Sequence, residues 1–179
     1  MPRIYVLLFA VSVFAAACAD DKPAPRKRPL TEKQMRDGSV KMHSWDRQRQ
    51  ADEIEQYIRR QGWQMETTAS GLRWMLLKKG SGTQLAKPGE IAKVYYTIKL
   101  MDGTVCYTSD KDGSRSFVIG RDDVEPGIHE GVQLMHTGDK MRFVLPSHLA
   151  HGLTGDNAKI PPLASLVCEL ELLKISQPE

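Results

Sequence analysis

The chain has no strong excess of either charge. Its 179 residues carry 25 Lys and Arg against 22 Asp and Glu, a net charge of +3. A nucleic-acid binder would show a basic face on its folded part. Here the excess is local: Lys22, Arg26, Lys27, Arg28 and Lys33 share a short stretch with Pro23, Pro25 and Pro29. Beyond residue 40 acids and bases are interspersed, which argues against a nucleic-acid partner. The basic stretch reads as a solvated spacer able to lie along anionic headgroups. Long apolar runs are missing too, with one short exception. After Arg3, about 14 uncharged residues run from Ile4 to Ala17, which suits a signal-peptide core of roughly 7–15 and falls short of the ~20 a bilayer-spanning helix needs. Cysteine is scarce, at three residues. Metal-ligand sets are lacking as well. His148-x-x-His151 lies in a loop region, His129 and Asp156 add no second clear pair, and catalytic zinc usually takes three protein ligands. No metal and no cofactor are expected, and no motif supports Cys–His nucleophilic catalysis.

The apolar run ends in Ala15-Ala16-Ala17-Cys18. Small residues before a cysteine resemble the bacterial lipobox, which implies lipidation of Cys18 after removal of residues 1–17. Ala15 stands where leucine is more usual, and Ala15-x-Ala17 also suits ordinary signal peptidase, so a soluble periplasmic form is the alternative. Ala19 follows the cysteine, so the inner-membrane retention signal of that class is absent. The resemblance implies an outer-membrane lipoprotein facing the periplasm or the cell surface. Cys106 and Cys168 would then lie in an oxidising compartment.

Residues 18–40 are Pro-rich and charged without an apolar period, and are expected to form a lipid-anchored flexible tether. Residues 41–70 hold a helix and connector. From about Ser44 to Gln61, Ala51, Ile54, Tyr57 and Ile58 form one stripe; Ser44 can cap the start and Gly62 the end, with Trp63 packing back. One amphipathic helix cannot bury itself, so it should lie on the sheet domain or on a partner. Residues 71–179 read mostly as strands. Leu72–Lys79 is bounded by Gly71, Gly80 and Gly82. In Ile91–Met101, Ala92, Val94, Tyr96, Ile98 and Leu100 share one face. Asp102-Gly103 is a hairpin signal leading into Thr104–Thr108, and Asp112-Gly113 precedes Ser114–Ile119. Pro126 opens a short helix to about Met135, Lys140–Pro146 follows, and a long loop spans 147–164. The last strand, Ser165–Ile175, places Leu166, Cys168, Leu170 and Leu172 inward. This pattern predicts an α+β fold with an antiparallel sheet wrapped over the short helix.

Several segments stand in the order of one known pattern. They include Val94-Tyr95-Tyr96-Thr97, Leu100-x-Asp102-Gly103, Phe117-x-x-Gly120, Val124-x-x-Gly127-x-x-Glu130-Gly131-Val132, Pro146-x-x-x-Ala150-x-Gly152 and Ile160-Pro161-Pro162. Over roughly residues 71–175 the chain resembles the FK506-binding (FKBP) type of peptidyl-prolyl cis-trans isomerase. The Tyr57-Ile58 helix, Gly62-Trp63 and His148-Leu149-Ala150-His151-Gly152 are similar to the gliding-motility lipoprotein isomerases of Bacteroidetes, which implies motility-machinery partners.

The resemblance implies an enzyme acting on Xaa-Pro segments of unfolded or exported proteins. The amide resists rotation by about 18–20 kcal/mol through resonance, and its planar form is more charge-separated than the twisted one. A dry apolar pocket therefore favours twisting, and a hydrogen bond can assist. The pocket maps onto Tyr96, Glu125 and His151 as catalytic positions, with Cys106, Tyr107, Phe117, Val124, Ile128, Ile160 and Cys168 binding substrate. A backbone N–H at Val124 or Glu125 could hold the substrate carbonyl.

Departures from the family are concentrated there. Ile128 replaces a tryptophan floor, Cys106 and Cys168 replace phenylalanines, Tyr107 an aspartate, His151 a tyrosine, and Arg115 an aromatic. A second reading therefore stands beside the first: a catalytically weak binding or chaperone module in a motility or secretion assembly. Cys106 and Cys168 either bridge or stay thiols. A bridge needs Cα atoms within about 7 Å, and a central strand between them would forbid it.

Overall fold

The structure is a computed structural model that describes residues 32–178. The expected leader over 1–17, the lipidation at Cys18 and the first part of the tether lie outside the described residues.

The chain forms helix α1 (Glu32–Gln61), strands β1 (Glu66–Thr67), β2 (Arg73–Lys78), β3 (Ile91–Leu100) and β4 (Val105–Thr108), a one-turn helix α2 (Ser109–Asp112), β5 (Arg115–Val118), helix α3 (Pro126–Val132), β6 (Lys140–Leu145), a 3-10 turn at Ser147–Leu149, and β7 (Leu166–Ser176). One sheet takes the strands in the order β1-β2-β6-β7-β3-β4, with β5 also on β3. All pairings are antiparallel. The central strand β3 meets β7 along one whole edge. On the other edge it meets β5 through Ile91–Val94 and β4 through Thr97–Lys99.

The strict alternation of β3 explains its position. Ala92, Val94 and Ile98 are buried in the main core, and Tyr96 and Leu100 pack against it. On β7, Leu166, Cys168, Leu170 and Leu172 are buried in the same core as expected. Val167 points to the opposite face, as a two-residue period requires. α3 lies across the concave face. It approaches closely because two of its inward positions have no side chain: a Cβ on Gly127 would stand 2.7 Å from Leu145 Cδ2 and 2.9 Å from Leu149 O, and one on Gly131 would stand 2.9 Å from Phe143 Cε1. α3 ends at Val132, earlier than the expected Met135. Its last turn tightens, with Leu134 N donating to Gly131 O and Met135 N to Val132 O.

Helix α1 covers the other face. Ile54 and Ile58 are buried with Val144 and Val167, and Tyr57, Trp63 and Met65 pack around them. The sheet domain itself is thus what the apolar stripe touches. Gly62, at φ +68°, turns the chain back, with Gly62 N donating to Arg59 O and Trp63 N to Ile58 O. Trp63 then sits edge-on to Tyr57 at 5.5 Å, beneath the Arg142 guanidinium at 4.2 Å.

The upstream limit of α1 corrects two expectations. The helix starts at Glu32 rather than Ser44, so the expected tether is already helical over 32–40. Glu32-Lys33-Gln34-Met35-Arg36 are good helix formers and no proline follows Pro29 until Pro88. That stretch lacks an apolar stripe, the signal by which a helix was recognised.

α1 also reaches the long loop. Gln50 is buried, and its Oε1 accepts from Ser147 N at 3.0 Å and Ser147 Oγ at 2.8 Å.

The close approach of α3 is directly testable. Gly127→Ala should destabilise the protein by about 1–3 kcal/mol through overpacking, read as a lower denaturant midpoint. Gly103→Ala, with open space around the added Cβ but φ +94°, should show only the milder backbone strain of its turn.

Candidate functional site

The N-terminus of α3 faces the loop that follows β6, and between them opens a cleft of about 410 Å³. Val124, Glu125 and Pro126 form one lip and Ala150 and His151 the other, with Arg115, Asp123 and Asp156 at the mouth. Pro126 is the first helical residue, where its missing N–H costs nothing. Glu125 occupies the cap position, but its side chain makes no capping bond. Val124 N donates to Asp122 O at 2.9 Å, while the Glu125 N–H has no backbone acceptor among the described residues.

The apolar positions assigned to the pocket lie in or against the main core, and Tyr96 also lines a separate hollow with Ser109, Lys140 and Glu169. Phe117, Ile128, Cys106, Ile160 and Cys168 belong to the single main core, and Tyr96, Tyr107 and Val124 pack against it. They do not share the cleft equally. Val124, Glu125 and His151 line it, whereas Ile128 is 4% exposed and Cys168 not at all. The floor is closed, and the open part of the cleft is more polar than the resemblance implies.

Three polar arrangements give the cleft its character. Glu125 is buried, and His151 Nε2 donates to its Oε1 at 3.0 Å. Tyr107, in place of the family's aspartate, donates its phenolic O–H to Asp156 Oδ2. Asp156 Oδ1 accepts from the backbone N–H groups of Ala158, Lys159 and Ile160 at 2.9, 2.9 and 2.7 Å. This fixes the loop just before Ile160. Lys159 folds back over the Tyr107 ring at 4.5 Å and donates to Cys106 O at 2.9 Å. Third, Tyr96 is held above its usual pKa by burial, with the Asp112 carboxylate adding to the effect and Arg115 opposing it.

Asp156 orders the loop beside the cleft, a part that weighing it as a metal ligand did not give it. Its signal was present as an Asx-type turn, an aspartate able to accept from backbone N–H groups two and more residues on. The histidines are engaged locally. His129 Nδ1 accepts from Gly120 N and its Nε2 donates to Asp122 O. His148 Nε2 donates to Ser70 O.

Both cysteines are thiols. Cys106 is on β4 and Cys168 on β7, with β3 running between them, so the separation forbids a bridge. Burial raises both thiols above their usual range, Cys168 strongly.

Residues 82–173, just over half of the chain, match the sequence pattern described as FKBP-type peptidyl-prolyl cis-trans isomerase. Among curated relatives, a probable FKBP-type peptidyl-prolyl cis-trans isomerase FkpA of Neisseria meningitidis is 41% identical over 64% of this chain and 42% of its own length. The FKBP-type 22 kDa peptidyl-prolyl cis-trans isomerase of Escherichia coli is 37% identical over 68% of this chain and 57% of its own length. The matched segment thus spans less than two thirds of these relatives. A crystal structure of FkpA from Escherichia coli superposes with a TM-score of 0.62 at 25% identity, covering 83% of this chain and 74% of that one.

Two outcomes follow from this geometry. In unreduced, denatured protein both Cys106 and Cys168 should take up a thiol label, and in native protein Cys168 should stay unlabelled; mass spectrometry of the labelled peptides checks both. The Tyr107–Asp156 pair should be visible in titration. Burial alone would raise Asp156, but the bonds from Tyr107 and the loop N–H groups outweigh it and hold the carboxyl at about 2. The hydrogen bond to Asp156, aided by burial, pushes Tyr107 up to about 12. The aspartate's contribution to stability is present above its ordinary value of 3.8 and lost as pH falls through about 2. The tyrosine's is present below 10.0 and lost as pH rises through about 12. Tyr107→Phe should move the Asp156 titration upward toward 3.8 by carboxyl NMR.

Proposed function

The chain belongs to the family of FKBP-type peptidyl-prolyl cis-trans isomerases, and from that premise we propose that it catalyses rotation about Xaa-Pro bonds of exported proteins. The observation that carries the reading is that Val124 lines the cleft beside a Glu125 N–H with no backbone acceptor among the described residues, with Phe117, Ile128 and Tyr96 in or against the core. A prolyl ring entering against Val124 leaves water. Its amide then loses solvation that favours the planar, charge-separated form over the twisted one. The Glu125 N–H accommodates the substrate carbonyl through the backbone, so the residue's acidic side chain does not forbid that role.

One observation favours a second reading, a weakly catalytic binding or chaperone module. The floor residues Ile128, Ile160 and Cys168 expose almost no surface to the cleft, so the prolyl ring must be admitted by small movements of the lips. Tethering to the outer membrane through lipid on Cys18 is part of the proposal and rests on Ala15-Ala16-Ala17-Cys18. A link to gliding motility rests on three short segments whose residues have packing roles here: Tyr57 against Trp63, and His148 on Ser70. It does not enter the mechanism.

A protease-coupled assay on an Xaa-Pro tetrapeptide tests the reading. The protein should accelerate cis-to-trans conversion. Tyr96→Phe should lower kcat/KM by roughly fivefold, the loss of about one hydrogen bond. Val124→Asp should lower it by a hundredfold or so, because a charge would line the hollow. Suppression of client aggregation without any acceleration would establish the second reading instead.

A further inference from the structure

Glu125 lines the cleft, and its surroundings are unusual for a carboxylate. Its side chain is only 6% exposed. It declines the capping role open to it at the start of α3 and turns toward His151. Oε1 accepts from His151 Nε2, while Oε2 is buried with no hydrogen-bond partner among the described residues. An ionised carboxylate can accept about four hydrogen bonds, and a buried oxygen left without a donor is costly. The charge also bears on the hollow itself, since it contributes to raising the phenols of Tyr96 and Tyr107 and the thiol of Cys168.

The rest of the lining adds to this field without answering it. Asp123, Asp156 and Arg115 share the cleft with Glu125 and His151. The Arg115 guanidinium donates to Asp123 O at 2.9 Å. Asp156 is already engaged by Tyr107 and three backbone N–H groups. Among the described residues, Glu125 Oε2 is the buried oxygen of this lining left without a donor.

A prolyl ring has no donor to offer that oxygen, whereas a basic side chain on a flanking residue brings a charged one. We infer that Glu125, held by His151, selects Xaa-Pro segments whose residue before proline is basic. This rests on the isomerase reading above, in which the Glu125 N–H holds the carbonyl of that same substrate residue. One residue of the protein then meets one residue of the substrate twice: backbone to backbone, and carboxylate to ammonium or guanidinium. Lys and Arg have the long apolar stem needed to cross Val124 and deliver a charge at the lip.

Three tetrapeptides differing only before proline, Ala-Lys-Pro-Phe, Ala-Leu-Pro-Phe and Ala-Glu-Pro-Phe, test the inference on the wild-type protein. Turnover is read by the coupled assay and affinity by calorimetry. The Lys peptide should exceed the Leu peptide by about tenfold in affinity and in kcat/KM, the worth of one charge-assisted bond, with the Glu peptide last. Raising ionic strength toward about 1 M should shrink that advantage. Glu125→Gln, which keeps the shape, should bring the Lys-to-Leu ratio close to one. Equal affinity and equal turnover for the Lys and Leu peptides, or a Lys advantage that survives in Glu125→Gln, would overturn it. Tighter binding of the Lys peptide with no turnover of any peptide would sink the isomerase reading alone. Failure of all three to bind would sink both.

Discussion

The structure depends on how closely α3 can lie against β6. Gly127 and Gly131 face Leu145 and Phe143 where a methyl group would already collide. This near approach lets Ile128 and Val132 enter the core, and it sets the height of the α3 N-terminus above the sheet. The cleft is the space left between that N-terminus and the loop after β6. A thicker helix face would lift Val124 and Glu125 relative to Ala150 and His151 and change the cleft between them.

The residues around the hollow act as a set. Ile128, Cys106 and Cys168 are buried, and the neighbouring core closes over them. The closed floor is matched by polar structure at the rim. Tyr107 engages Asp156, Lys159 stacks on Tyr107, and His151 holds Glu125. Hydrogen bonds thereby shape the rim. Hydrogen bonds are directional and bring charge, so the rim is specific about what approaches, whereas a purely apolar rim would discriminate mainly by size.

Much of this was legible in the sequence for a physical reason. β3 and β7 are half-buried strands, and their two-residue alternation writes the core face directly into residue order. The Asp102-Gly103 turn and Pro126 at the start of α3 are local devices, readable because they act within a few residues. What escaped was of two kinds. The upstream half of α1 has helix-forming residues but no apolar face, so periodicity had nothing to register. The pairings of Tyr107 with Asp156 and of Glu125 with His151 join residues 49 and 26 positions apart. Family resemblance placed Tyr107, Glu125 and His151 in one neighbourhood but not Asp156, and only the folded loop shows which atoms meet. The fate of the cysteines was conditional on strand order, and β3 lying between them decided it.

Gln50 gives the helix–sheet contact a meaning beyond burial. Its amide oxygen fixes where the loop after β6 begins, and it belongs to the same rigid rod as Ile54 and Ile58. A rod that slides along its axis by one residue must also rotate by about 100° to keep its apolar stripe inward, like a screw in its thread. Either motion alone would carry the amide off Ser147 and bring exposed Arg49 or half-buried Ala51 into its place. The helix can therefore hold only one phase against the sheet, and the loop bearing His151 inherits that phase as its point of departure.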